Sequence, residues 1–211
     1  MQDLRISRRQ VLQGIGAVGA LGALGVPTAV FAAGDDEGEK PRVRWDLVSI
    51  DFAKGTVAAG GKASATAQDG STITLTGSGT FALRHRRRVT GGGTWTATGS
   101  VTGSGTYEVE RLLSFIRAPG AFPSGEQDLI GNPADASAGL AFLQIEFSNE
   151  QHGVLTVSCA LPGPPAAPPS IFEGIRVSMG FVDFWNGTAP VDGVDANRTI
   201  FHIVRAGDED D

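Results

Sequence analysis

The sequence reads Gly77-Ser78-Gly79-Thr80-Phe81, then Gly91-Gly92-Gly93-Thr94-Trp95, then Gly103-Ser104-Gly105-Thr106-Tyr107. Each segment places flexible glycines ahead of a threonine and an aromatic residue. Their starts lie fourteen and twelve residues apart, a spacing that suits successive β-hairpins. Glycine supplies a positive φ or a bulge in such hairpins, and we expect each aromatic to turn inward over the bare backbone. A phosphate-binding loop is the alternative, but it needs a lysine and a following helix that this pattern lacks.

Outward from these segments, apolar and polar residues alternate with a period of two between glycine, proline and Asn-Gly turns. Further candidate strands lie at residues 43–50, 63–67, 73–75, 106–117, 140–147, 154–161, 171–184 and 199–205. No segment carries a convincing helical stripe. The pattern therefore predicts an all-β fold, a single antiparallel domain of about ten strands over residues 42–205.

Strands in this number close into a barrel or pack as two sheets. The last strand is apolar on both faces, as expected for the centre of a sandwich or for a barrel wall wrapped by its own loops. Hairpins dominate the first half, which favours a small β-barrel over a β-sandwich. In overall style the region resembles exported β proteins of unassigned activity and, in architecture alone, lipocalin and allene oxide cyclase barrels, a likeness that transfers no residue roles.

The N-terminal region contains Ser7-Arg8-Arg9-Gln10-Val11-Leu12, which resembles the consensus of twin-arginine export signals. An apolar run rich in glycine and alanine follows to residue 33 and ends in small residues, completing a tripartite signal. The resemblance implies the twin-arginine translocase as partner, folding before export, and a secreted or cell-envelope location. It also implies cleavage after Ala32 or Ala33, with no stable membrane insertion afterwards. A retained anchor is the alternative, because about twenty apolar residues span a bilayer core.

Charge and cysteine content narrow the range of functions. The chain has a formal charge of −6, and residues 1–33 contain three arginines and one aspartate, so their removal leaves −8. Such a body repels phosphate backbones, so we expect no nucleic-acid partner. A lone cysteine, Cys159, excludes an internal disulfide and reads as a small buried residue with a raised thiol pKa. Residues 34–41 read as a flexible linker and residues 206–211 as an acidic disordered tail.

The histidines are the first candidates for acid–base or metal chemistry. His85 lies among arginines, which disfavour both roles. His202 sits in the middle of a strand and His152 opens one, and a barrel interior could join them to Asp46 or Asp183. Without a close histidine pair, a hydrogen-bonded structural histidine is the commoner case, and the sequence predicts no metal and no cofactor.

Asp183 is the carboxylate that we single out as a candidate. Phe181, Asp183 and Trp185 share one strand face, and an acid that points inward beside aromatics has a raised pKa. The catalytic candidates are therefore His202, Asp183 and His152.

Four further segments have competing interpretations. The arginine run Arg84–Arg88 either engages a polyanion or forms a solvated hairpin end, which we favour. Residues 118–138 form either a lid over one end of the fold or an irregular connection, which we favour. Asn186 and Asn197 both match the glycosylation acceptor pattern, although Asn-Gly is equally a turn signal.

No complete catalytic constellation appears in the sequence. We therefore expect a non-catalytic binding or structural module of the cell envelope or exterior, with a small apolar ligand or a surface polymer as partner. The alternative is a secreted enzyme that acts on a lipid or saccharide at a barrel mouth.

Overall fold

The computed structural model describes residues 41–187 and 197–204. These residues form β-strands and one short 3-10 turn, Pro133–Asp135. In chain order the strands are β1 (Arg42–Asp51), β2 (Thr56–Ala59), β3 (Lys62–Thr66), β4 (Thr72–Thr76), β5 (Ser78–Ala82), β6 (His85–Thr98), β7 (Gly103–Ala118), β8 (Gln127–Asp128), β9 (Ala136–Phe147), β10 (His152–Cys159), β11 (Gly174–Met179), β12 (Val182–Phe184), β13 (Asn186–Gly187) and β14 (Arg198–Val204). The all-β prediction is confirmed. The fourteen strands of the described residues exceed the expected ten partly because β8, β12 and β13 are too short to show alternation.

Six strands close into a barrel. Around the ring they run β1, β5, β6, β7, β9 and β14, and each neighbouring pair is antiparallel. The pair that closes the ring sets Phe201 of β14 opposite Ser137 of β9. The other strands extend this ring: β10 to β12 continue from β9, β4, β3 and β13 continue from β6, and β2 lies beside β1. The prediction of a barrel rather than a sandwich is confirmed.

The aromatics of the three glycine-rich segments all lie in the core. Phe81, Trp95 and Tyr107 are buried. Trp95 packs edge-on against Phe147 with ring centroids 5.8 Å apart, and Phe81 packs against Phe115 at 5.2 Å. The inward orientation expected from the sequence is confirmed for all three.

Gly79 and Gly91 face each other across β5 and β6 and allow a close approach of the two backbones. A Cβ at Gly91, where φ is +116°, would lie 2.3 Å from the carbonyl oxygen of Ser78. A Cβ at Gly79 would lie 2.2 Å from the carbonyl oxygen of Thr90 and 2.9 Å from Nε1 of Trp45. The Trp45 indole therefore occupies the space that a side chain would need, as expected where an aromatic covers glycine backbone.

Strands β1 and β14 bury side chains on both faces. One face, which carries Val43, Trp45 and Phe201, belongs to the core. The opposite face, called the covered face below, carries Arg44, Asp46, Val48 and Ile50 of β1 and Arg198, Ile200 and His202 of β14. Residues 119–135, called the covering segment, contact this face, and their strand β8 pairs with β2 in parallel. This short pair is an exception to the antiparallel prediction.

The predicted signal, most of the linker and the acidic tail lie outside the described residues. Among the residues that are described, no helix has both the length and the apolar character needed to cross a membrane.

Candidate functional site

A pocket of about 240 Å³ lies at the covered face. Strands β1, β2 and β14 contribute part of its wall, and the covering segment, the residues just after β10 and Glu173 just before β11 contribute most of the rest. The lining residues are Val48, Ile50, Phe52, Val57, Phe122, Pro123, Glu126, Ala160, Leu161, Pro162, Glu173, Arg198, Thr199 and Ile200. The pocket is therefore bounded by residues from distant parts of the chain that the barrel wall brings together.

The wall of the pocket is mainly apolar and its polar groups are few. Val48, Val57 and Ile200 are buried, whereas Phe52 is largely exposed. Val48 and Ile50 lie two residues apart on β1 and so point to one face, and Ile200 of β14 shares that face because it pairs with Asp46. An apolar concavity with a few placed polar groups is the usual form of a small-molecule site.

Glu173 is one of the two carboxylic acids that line this pocket. Its Oε2 accepts a hydrogen bond from the backbone N–H of Ala160 at 2.6 Å, and its Oε1 accepts one from the backbone N–H of Thr199 at 2.8 Å. Burial raises the pKa of Glu173 to about 7, against the lowering effect of these bonds and of nearby Arg198. A carboxyl that changes protonation near neutral pH in a cleft is a functional-site candidate.

The other end of the covered face is ionic and closed. Asp46 is fully buried, and Arg44 donates to both of its carboxylate oxygens, at 2.8 and 3.0 Å. This hydrogen bond raises the pKa of Arg44. Nε2 of His202 lies 2.7 Å from Oδ2 of Asp128, and both side chains are almost completely buried. Two ionisable pairs therefore lie at this end of the covered face: Arg44 with Asp46 within β1, and His202 of β14 with Asp128 of the covering segment.

Asp128 holds the covering segment in shape as well as contacting the barrel. Its Oδ1 accepts hydrogen bonds from the backbone N–H groups of Ile130 and Gly131, at 2.9 and 3.3 Å. Burial tends to raise the pKa of Asp128, but the hydrogen bonds from His202, Ile130 and Gly131 outweigh it, so the pKa lies below its ordinary value. A Cβ at Gly131 would lie 3.1 Å from the His202 ring, so the segment passes directly over the histidine.

The three predicted catalytic residues do not converge. His202 is buried in its pair with Asp128, outside the pocket lining. His152 is exposed, with Nδ1 3.8 Å from Oε2 of Glu110. Asp183 is exposed too, so the inward orientation predicted for it is wrong. Phe184 is the buried aromatic of that hairpin. Phe181 is fully exposed at the hairpin turn, so the strand face that it shares with Asp183 points to solvent.

A second cluster, Glu110, Glu146 and His152, brings three ligand atoms within 4.8 Å of one another. All three residues are exposed, and Oε2 of Glu110 already accepts a hydrogen bond from Gln144 at 2.7 Å. Exposed acidic groups of this kind are common without a bound ion, so the cluster does not define a metal site.

Cys159 is buried, and its thiol pKa is raised by burial and by the Glu173 carboxylate. The thiol is therefore the unreactive core group that the sequence indicated. Of the two glycosylation candidates, Asn186 is exposed, whereas Asn197 is buried and its Oδ1 accepts a hydrogen bond from the backbone N–H of Ser64 at 3.2 Å. The Asn197 side chain is therefore inaccessible to a glycan.

Sequence reasoning named Asp46 but missed the other two acids of the covered face, Asp128 and Glu173. Asp128 lies in a segment that we interpreted as an irregular connection, and its partner His202 is 74 residues away. Glu173 lies within a run interpreted as strand, although β11 begins at the next residue. The one available signal for Glu173 was a single acid after a proline-rich stretch, which by itself indicates nothing about burial.

Comparison with known proteins identifies the N-terminal region. Residues 5–25 match the family model described as TAT (twin-arginine translocation) pathway signal sequence. No curated protein and no solved structure matches the chain. The protein therefore carries a twin-arginine signal, is exported by that pathway to the cell envelope or exterior, and has a β-barrel as its folded domain.

Proposed function

We propose that the exported barrel is a non-catalytic binding module that holds a small, largely apolar ligand in the pocket of the covered face. The observation that carries this proposal is the pocket itself, about 240 Å³ of space with a mainly apolar wall at the covered face. An apolar concavity with a few polar groups is the usual form of a small-molecule site. Its size suits a short apolar chain or a single ring system.

The polar groups of the pocket favour an uncharged polar head on that ligand. Glu173 changes protonation near pH 7, so it accepts a hydrogen bond when ionised and donates one when protonated. A hydroxyl group satisfies Glu173 in either state. Arg198 offers further donors on the same wall. The ligand class is thus a small aliphatic or alicyclic alcohol or a molecule with an equivalent group.

Two features support binding rather than catalysis. The histidine of the covered face is engaged by Asp128, and neither His152 nor Asp183 lines the pocket. Glu173 accepts one backbone N–H bond at each carboxylate oxygen. These bonds hold the carboxyl in one orientation, and each oxygen keeps a second lone pair for a ligand hydroxyl.

The test measures binding of octanol to the mature protein by isothermal titration calorimetry. We expect saturable binding by the wild type and a loss of about tenfold or more in Val57→Phe, because a benzyl group in place of the smaller isopropyl group fills part of a pocket of this size. Val154→Phe, at an exposed position on β10, is the matched control and should bind like the wild type.

Two results would contradict the proposal. One is octanol binding that is absent in the wild type or unchanged in Val57→Phe while circular dichroism shows both proteins folded. The other is hydrolysis of octanoate esters by the wild type but not by Glu173→Gln, which would replace the binding module with an enzyme.

A further inference from the structure

The hairpin that joins β5 to β6 ends in a cluster of arginines, called the basic tip below: Arg84, Arg86, Arg87 and Arg88. All four side chains are exposed. The β-pairing sets Phe81 opposite Val89 and Ala82 opposite His85. Arg86, Arg87 and Arg88 therefore have no residue opposite them on β5 and form a bulge, a feature that redirects side chains at the ends of strands.

The arginines of the basic tip differ from most of the others in having no partner. Within the described residues, no ion pair and no side-chain hydrogen bond involves any of the four. Arginines elsewhere are engaged: Arg42 with Thr80, Arg44 with Asp46, Arg111 with Gln144, Arg117 with Ser137 and Arg176 over the ring of Phe172. The remaining described arginine, Arg198, lines the pocket. The positive charge of the tip is thus free to act outward.

The charge of the tip is opposite in sign to the net charge of the protein. Without residues 1–33 the chain has a formal charge of −8, so the tip is a concentrated positive site on a negative body. Repulsion from the body and attraction to the tip together orient an approaching polyanion. A hairpin end whose only role is to face solvent does not need four arginines, so their presence favours a binding role for the tip.

Residue choice narrows the partner further. All four cationic side chains are arginines, whose planar fork pairs with two oxygens of a phosphate or carboxylate, whereas lysine acts as a point charge. Successive residues of an extended strand lie about 3.3 Å apart and point alternately to its two sides. Their forks can therefore reach several anionic groups along a chain better than one isolated ion.

We propose that the basic tip binds an extended anionic polymer outside the cytoplasm, through repeated phosphate or carboxylate groups. The export signal places the tip among cell-envelope or extracellular polymers. An anionic membrane is the weaker fit, because Leu83 is the one large apolar side chain exposed at this turn and stable membrane attachment requires a larger apolar area. The site is separate from the pocket and does not depend on a ligand there.

The test compares binding of the mature protein to three immobilised probes at low ionic strength: inorganic polyphosphate, polygalacturonate and phosphatidylglycerol vesicles. The tip variant is Arg86→Gln, Arg87→Gln and Arg88→Gln combined. The control combines Arg111→Gln, Arg117→Gln and Arg176→Gln, which removes the same charge from exposed positions elsewhere. A third variant replaces the tip residues by lysine.

We expect the tip variant to bind the polymer at least about tenfold more weakly, with a shallower dependence on salt, and the control to stay within about threefold of the wild type. The lysine variant should fall between them, because it keeps the charge and loses the fork. If the wild type binds polyphosphate more tightly, the tip recognises phosphate groups, and if it binds polygalacturonate more tightly, the tip recognises carboxylate groups. Equal weakening in tip variant and control, no polymer binding by the wild type, or binding to vesicles alone would overturn the proposal.

Discussion

The two ends of the covered face are built on the same two strands, yet one is sealed and the other is open. At the sealed end, Arg44 and Asp46 pair with each other on β1, and His202 of β14 pairs with Asp128 of the covering segment. At the other end, Val48 and Ile200 leave a pocket under the same segment. Buried charges need partners at fixed distances, whereas apolar side chains impose no such geometric requirement. The difference indicates that the ionic end fixes the segment in position and the apolar end keeps room beneath it.

The largest effect should come from removing the acid that fixes the segment. Asp128→Ala deletes the contact to His202 and the hydrogen bonds from Ile130 and Gly131. We expect a loss of about 4 kcal/mol in the free energy of unfolding, the range typical for breaking a buried, hydrogen-bonded pair. Urea denaturation followed by tryptophan fluorescence measures it.

Asp51 provides a matched control for this change. Its Oδ1 accepts hydrogen bonds from the backbone N–H groups of Ala53 and Lys54, and its Oδ2 lies 2.9 Å from the Lys54 amine, but at an exposed turn. Asp51→Ala should therefore have a much smaller effect. Because the pKa of Asp128 is lowered in the folded state, its contribution is present above the ordinary carboxyl pKa and is lost as pH falls through the lowered value. Equal destabilisation by the two substitutions would mean that the sealed end does not hold the segment.

The sequence predicted the barrel strands better than it predicted what lies over them. Alternation and glycine–aromatic spacing depend on neighbours two residues apart, so Phe81, Trp95 and Tyr107 could be oriented from the sequence alone. Alternation could not say which face of a terminal hairpin is buried, and Asp183 was assigned to the wrong one. The covered face depends on contacts between Asp128 and His202 and between Glu173 and Thr199, which join distant segments. No local pattern encodes such pairs.

A smaller effect, of opposite pH dependence, should come from the open end. The pKa of Glu173 is raised from 4.5 to about 7 in the folded protein, so the folded state binds its proton more tightly than the unfolded chain does. The associated stability is complete below pH 4.5 and declines as pH rises toward 7, by at most about 3 kcal/mol. Urea unfolding at several pH values should show this decline in the wild type.

Glu173→Gln should abolish that decline, because the amide does not titrate. The variant also loses a hydrogen-bond acceptor, so its absolute stability differs from that of the wild type, and the slope with pH is the informative quantity. Glu126→Gln, in the same pocket, is the control and should keep the wild-type slope. Parallel curves for Glu173→Gln and the wild type would show that this carboxyl is not held in a raised-pKa state.

The smallest effect tests the space itself. Val57 and Val43 are both buried valines on strands within the core cluster, but only Val57 also lines the pocket. Val57→Phe should change the free energy of unfolding by less than about 1 kcal/mol, because the ring enters existing space, whereas Val43→Phe overpacks the core and should cost about 1 to 3 kcal/mol. Thermal unfolding of the two variants side by side measures the difference. A similar loss in the free energy of unfolding at both positions would mean that the pocket is closed in solution. The two ends of the covered face would then differ only in the charge of their side chains.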